Sequence, residues 1–301
     1  MSMIPKKIVK ICCMCTRRPV LSVHSMYCRS CAQIVFRMKA RRFPPEAEEG
    51  VREYVRQHDY QCYYTDLPLE MDDTKSAWFC TFDHWIPLDP RKIVLCCAWV
   101  NAMKSALSDK EFWFYIFQLN DCHLKHTPVK KIGLAYWHRR FGAKTPEVFR
   151  PIPRTKGPVL PKKCWICGKP VFKANAKYCL RCSHFVKRMY FKRFPPSVVK
   201  KILEYVRVHG FVCYYTGMPL NLDNHRSPWY AVFDYLTPGD KSKVVLTSAL
   251  FCEMKSDLAI DEFWYYIRQL ANYKRNGTPI RKRKLVYWYR LTLKEKLARP
   301  Q

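Results

Sequence analysis

Acidic residues and long apolar runs are both scarce in this 301-residue chain. Asp and Glu together number 24 against 54 Lys and Arg, a formal charge of +30 at pH 7. No apolar run approaches the roughly 18 residues needed to cross a bilayer, so no membrane partner is expected. The stretch from Met1 to Ile11 alternates Lys with Ile and Val too briefly for a secretory signal, and an intracellular location is expected. Nothing in the chain reads as a base-specific code either, so recognition of one nucleotide sequence is not legible here.

Hydrophobic residues nevertheless make up 49%, with 17 Phe, 19 Tyr and 9 Trp. That is enough to bury cores in about two domains, and it excludes a disordered polycation. A packed protein with this charge repels itself, and a polyanion relieves the repulsion. Nucleic acid is therefore the expected partner, with DNA ahead of RNA. The candidate contacts are Arg37, Arg41 and Arg42, then Lys187, Arg188, Lys192 and Arg193, then Arg281, Lys282, Arg283 and Lys284. The aromatic pair Tyr136-Trp137 could stack on bases, although a core role is the better reading.

A second feature is internal repetition. An offset of 151 residues relates Cys62 to Cys213, Asp83 to Asp234, Lys104 to Lys255 and Trp137 to Trp288. The same offset relates most, not all, of a conspicuous segment. Phe82-Asp83-His84-Trp85-Ile86-Pro87, followed by Asn101-Ala102-Met103-Lys104, becomes Phe233-Asp234-Tyr235-Leu236-Thr237-Pro238, followed by Cys252-Glu253-Met254-Lys255. A histidine and an asparagine are replaced while their surroundings are kept.

The chain has 16 cysteines, and their spacing separates metal ligands from disulfides. Cys12-x-x-Cys15 precedes Cys28-x-x-Cys31, and Cys164-x-x-Cys167 precedes Cys179-x-x-Cys182. Paired Cys-x-x-Cys knuckles present four thiolates for a tetrahedral zinc ion, closed to substrate and therefore structural. Two structural zinc sites are expected, with Cys13 incidental and His24 not needed as a ligand.

Each half then follows one order. A basic amphipathic helix (32–42 or 183–193) is broken by Phe43-Pro44-Pro45 or Phe194-Pro195-Pro196. A second helix (46–58 or 197–209) and a short strand at Cys62-Tyr63-Tyr64-Thr65 or Cys213-Tyr214-Tyr215-Thr216 come next. An aromatic strand ends at Asp83-His84 or Asp234-Tyr235, a Val/Leu-rich strand follows, and a helix carries Asn101 or Cys252. The expected fold class is α+β. It comprises two tandem repeats, 1–142 and 164–301, joined by a proline-rich basic linker, 143–163. Either an intrachain pseudo-dimer of the halves or a homodimer is the expected assembly.

The elements Asp83-His84, Pro87, the strand Lys92-Ile93-Val94-Leu95 and Asn101-Ala102-Met103-Lys104 together resemble the HNH, or His-Me finger, nuclease family. The resemblance implies a ββα-metal core in each repeat and metal-dependent hydrolysis of nucleic-acid phosphodiesters. It implies His84 as general base and Asp83 and Asn101 as ligands of one Mg2+ or Mn2+ ion. Lys104 would either contact phosphate or pack as a helix-end cation, and its retention as Lys255 favours packing. At Lys92 the family often carries a side chain that orients the imidazole. Lysine cannot accept a ring N–H, so a backbone carbonyl would have to hold His84. The second half, with Tyr235 and Cys252, is expected to be catalytically dead. The alternative expectation is a non-catalytic zinc-containing nucleic-acid-binding protein, such as a ribonucleoprotein component, on an HNH-like scaffold.

Overall fold

The computed structural model describes residues 9–22, 24–135, 137, 162–171, 175–283 and 285. Lys284, Tyr136 and the linker up to residue 161 lie outside the described residues. The architecture is mixed helix and small antiparallel sheets.

In the first half, Cys28 adopts an extended conformation and opens helix α1, Arg29–Ala40. Its buried stripe is Cys31, Ile34, Val35 and Met38, so the last knuckle ligand also begins the core-facing row. Pro44 and Pro45 then start α2, Pro45–His58, where a missing N–H and a preset φ are no penalty. Glu46 and Glu48 in its first turn oppose the helix dipole favourably. The helix stops at Asp59, whose φ is 56°. Its counterpart in the second half is Gly210, at φ 79°, a residue that adopts this conformation without strain.

Strands β1, Cys80–His84, and β2, Ile93–Cys97, pair antiparallel with Asp83 opposite Val94 and His84 opposite Ile93. Helix α3, Ala98–Lys104, follows β2 without a gap, and α4 spans Asp109–Lys125. In the second half the corresponding elements are α5 Leu180–Phe191, α6 Pro196–His209, β3 Ala231–Tyr235, β4 Val244–Ser248, α7 Ala249–Lys255 and α8 Ile260–Asn276. Their bounds keep the 151-residue offset, and so does the register, with Asp234 opposite Val245.

The short strand expected at Cys62–Thr65 is instead a turn. The N–H groups of Thr65 and Asp66 both bond the Cys62 carbonyl, at 3.1 and 2.8 Å, which coils the chain back on itself. The Cys213 segment does the same, ending at Gly217 with φ 65°. Aromatic residues with high strand propensity are overridden there by a tight turn.

The chain forms two compact units that do not coincide with the sequence repeats. One joins the chain up to Asp109 with the described stretch from Asn272 on, and the other is Lys110–Ala271. In the second unit, Tyr115 of α4 packs edge-on against Phe251 with ring centres 6.1 Å apart, and the buried Trp137 donates to the Arg226 carbonyl at 3.1 Å. Trp137 is thus a core residue. In the first unit, Tyr273 donates to Asp66, and Lys282 donates to the Pro68 carbonyl at 3.0 Å. Similarity along the sequence follows the repeat, whereas burial follows whichever apolar face a helix covers.

Candidate functional site

Cys12, Cys15, Cys28 and Cys31 bring their sulfurs within 4.8 Å of one another, and so do Cys164, Cys167, Cys179 and Cys182. The Cys15–Cys28 and Cys167–Cys179 separations are 3.8 and 3.6 Å. Sulfurs at the corners of a zinc tetrahedron with Zn–S of about 2.3 Å lie roughly 3.8 Å apart, so both clusters fit zinc. Burial opposes ionisation of the Cys15 thiol. The Arg17 and Arg18 N–H groups, with the Cys12 and Cys28 thiols, outweigh it and bring Cys15 down to about 6. Cys164 falls to about 7, because the N–H groups of Cys167, Cys179 and Ile166 outweigh its burial. Cys13 is exposed and outside the cluster, as is His24.

The first cluster has a support that the sequence did not signal. Tyr60 places its hydroxyl 2.9 Å from the Cys31 sulfur and 3.3 Å from that of Cys28. Arg18 forks onto Asp59 at 3.0 and 2.7 Å, and Arg17 caps the end of α2 through the Arg56 carbonyl at 2.7 Å. The knuckle is thereby pinned to the helix that follows it.

The hairpin corner holds the other candidates. Asp83 is 5% exposed and Lys104 is fully buried. One carboxylate oxygen, Oδ2, receives the Tyr64 hydroxyl at 2.6 Å and lies 3.0 Å from Lys104 Nζ. Lys104 also donates to the main-chain carbonyl of His84 at 2.8 Å, so it fixes the end of β1. Asn101, one turn before Lys104, donates its amide to Phe82 O and Thr81 Oγ1, each at 3.1 Å. These contacts bring Asp83, His84, Asn101 and Lys104 into one corner.

The His84 side chain is half-buried, and no hydrogen bond to its ring occurs among the described residues. The carbonyl expected to hold the imidazole is therefore not found. The Lys92 carbonyl instead accepts the Trp85 N–H at 3.1 Å, and the Lys92 ammonium lies 5.8 Å from the centre of the Trp85 ring. Burial lowers the His84 pKa below its ordinary value. Asp83 opposes the shift, while Lys104 and Arg41 add to it. These surroundings favour the neutral ring, the form that can accept a proton.

The second corner repeats part of this. Tyr215 donates to Asp234 Oδ2 at 2.5 Å, and buried Lys255 lies 3.5 Å from Oδ1. Three things differ. Lys255 donates to the Leu258 carbonyl at 2.7 Å rather than to the strand end. Asp234 Oδ1 accepts the Tyr235 N–H at 2.8 Å, a bond with no counterpart from His84 N to Asp83. Burial, aided by Asp234, pushes up the Tyr235 hydroxyl and the Cys252 thiol, so neither is an available base or anionic ligand near neutral pH.

The basic candidates divide into two groups. Arg37 donates to the Cys80 carbonyl at 2.6 Å and Arg188 to that of Ala231 at 2.5 Å, each tying its helix to the first residue of a strand. Both lie over aromatic rings, Arg37 4.6 Å from the Phe79 centre and Arg188 4.5 Å from that of Tyr230. Arg41, Arg42, Lys187, Lys192, Arg193, Arg281, Lys282 and Arg283 are exposed. Lys282 is anchored near Trp78, with its ammonium 5.0 Å from the ring centre. The signal that could have found the arginine clamps, and Tyr64 with Tyr215, was their presence at the same offset in both halves.

Compared with known proteins, the chain matches no family model, no curated protein and no solved structure.

Proposed function

We propose that this protein is a metal-dependent endonuclease of the HNH type, built as two tandem copies of a zinc knuckle and a ββα corner. The first copy cuts nucleic acid and the second binds it. The observation that carries this reading is the difference between two otherwise matching corners. His84 and Asn101 stand where the second corner has a tyrosine and a half-buried thiol, and Asp83 keeps one oxygen clear of the bond that occupies Asp234 Oδ1.

In this reading Asp83 and Asn101 would hold one Mg2+ or Mn2+ ion, which supplies positive charge against the scissile phosphate and the leaving oxygen. His84 takes the proton from the attacking water, and its unbonded, neutral ring suits that role. Lys104 positions the pair: it fixes the His84 backbone and the Asp83 carboxylate from inside the core. The two cysteine quartets hold structural zinc and keep each half folded.

A second reading is favoured by one contact. The Lys104 ammonium already neutralises Asp83 from 3.0 Å, as a divalent ion would. On that basis the corner is a scaffold, and the protein binds nucleic acid without cutting it. Incubation of the purified protein with supercoiled plasmid and Mg2+ or Mn2+ separates the two. Metal-dependent nicking that EDTA and His84→Ala both abolish supports the nuclease. Salt-sensitive binding without cleavage supports the scaffold.

A further inference from the structure

The second half carries a groove lined by two histidines and a lysine that have no counterparts in the first. A cavity of about 410 Å3 opens beside α5, between that helix and the segment from Leu222 to Tyr230. His184 and Lys187 line it from the helix and His225 from the facing segment, and Phe191 stands at its rim. Phe191 is 85% exposed, a large apolar ring left in solvent at the end of a packed helix. At the matching positions the first half has Gln33, Phe36, Thr74 and Ala40. The second half therefore has two imidazoles and a cation where the first has none of these, and its exposed ring stands one turn further along the helix than Phe36, the exposed ring of the first half.

The charges of the groove are unevenly committed. Asp223, its acidic residue, is taken up by Arg181, whose Nε donates to it at 2.7 Å. Arg188 is tied to the Ala231 carbonyl and covers Tyr230, so it forms a rigid wall. Lys187, and Lys192 and Arg193 just beyond Phe191, have no acidic partner among the described residues. A flat hydrophobic rim flanked by unpaired cations fits a ligand with a π-face and negative charge spaced along a backbone.

The geometry points to this groove as a site for an unpaired nucleobase of single-stranded nucleic acid. The base stacks on Phe191, its edge meets His184 and His225, and the flanking phosphates meet Lys187, Lys192 and Arg193. A duplex keeps its bases stacked inside and cannot present one to the rim. The proposal rests on the nucleic-acid reading above and does not require that the first half cut.

The test is fluorescence anisotropy with the full-length protein in magnesium-free buffer. Three probes are used: a labelled 20-nucleotide single-stranded DNA, its RNA equivalent and the corresponding DNA duplex. One stacked base corresponds to a loss of roughly 5- to 150-fold on truncating its aromatic partner. Phe191→Ala is therefore expected to weaken single-strand binding by that factor, in the DNA arm, the RNA arm or both. Duplex affinity and the thermal unfolding temperature should stay unchanged. Phe36→Ala, which removes an exposed ring of the first half, is expected to change neither. Lys187→Ala should lower the slope of log affinity against log salt by about 1. Equal single-strand affinity of Phe191→Ala and wild type overturns the proposal, as does failure of the wild type to bind either single strand. A Phe191-dependent single-strand affinity in a protein that does not nick plasmid upholds this site and removes the nuclease reading. Nicking with no dependence on Phe191 does the reverse.

Discussion

The two hairpin corners share a frame and differ in what is left open. Asp83 with Tyr64 and Lys104, and Asp234 with Tyr215 and Lys255, are the same buried arrangement of carboxylate, phenol and ammonium. Ion pairs out of water are costly to desolvate, and they persist only where each charge is matched and hydrogen-bonded. Their occurrence in the corner that has Tyr235 in place of a histidine assigns them to the fold. His84 and Asn101 stand outside that shared frame, although Asn101 also ties its helix to β1 through Phe82 O and Thr81 Oγ1. Neither is repeated in the second half, and one presents an unbonded ring. What differs is the pair of side chains on which the proposed chemistry rests, and what stays is the frame around them.

The largest effects should come from the two cysteine quartets, each of which could hold a zinc ion. Structural zinc contributes about 10–16 kcal/mol in small zinc-dependent folds. Cys12→Ser with Cys15→Ser, or Cys164→Ser with Cys167→Ser, should each halve the bound zinc and unfold the adjoining helix. Metal analysis and circular dichroism would register both. An intact fold after either would break the parallel between the halves.

Removing the buried ammonium comes next. Lys104→Met and Lys255→Met each strand a buried carboxylate and should destabilise by about 3–5 kcal/mol in denaturant titrations. A stability-neutral Lys104→Met beside a damaging Lys255→Met would move Lys104 from the frame to the chemistry. Tyr64→Phe and Tyr215→Phe each delete one hydrogen bond to that carboxylate and should cost about 1.5–3 kcal/mol. The smallest effect is expected at Tyr60, whose counterpart is Phe211. Tyr60→Phe removes the hydroxyl contacts to two sulfurs, costs about 1 kcal/mol and makes the first cluster lose metal to a chelator as readily as the second.

Much of this was legible in the sequence, for physical reasons that also mark the limits. Cysteine spacing reports local geometry, so both quartets could be read directly from Cys-x-x-Cys pairs. The hairpin and its helix followed from strand patterning up to Asp83-His84 and the helix through Asn101. The turn at Cys62 was missed because Tyr63 and Tyr64 favour strands, while the hydrogen bonds that coil the chain involve only backbone. Arg37 and Arg188 read as solvent-facing charge, yet a long side chain can lie over aromatic rings and spend its donors on a carbonyl. The packing of α4 against Phe251 is long-range burial, which no local pattern encodes.

The most direct test of the asymmetry is plasmid nicking by two matched variants, His84→Ala and Tyr235→Ala, with Mg2+ or Mn2+ present. Loss of a general base lowers rates by about 10²–10⁴. The account predicts a loss of that size for His84→Ala, with Tyr235→Ala within a few-fold of wild type. Equal rates for His84→Ala and wild type, or a larger loss from Tyr235→Ala, would contradict it.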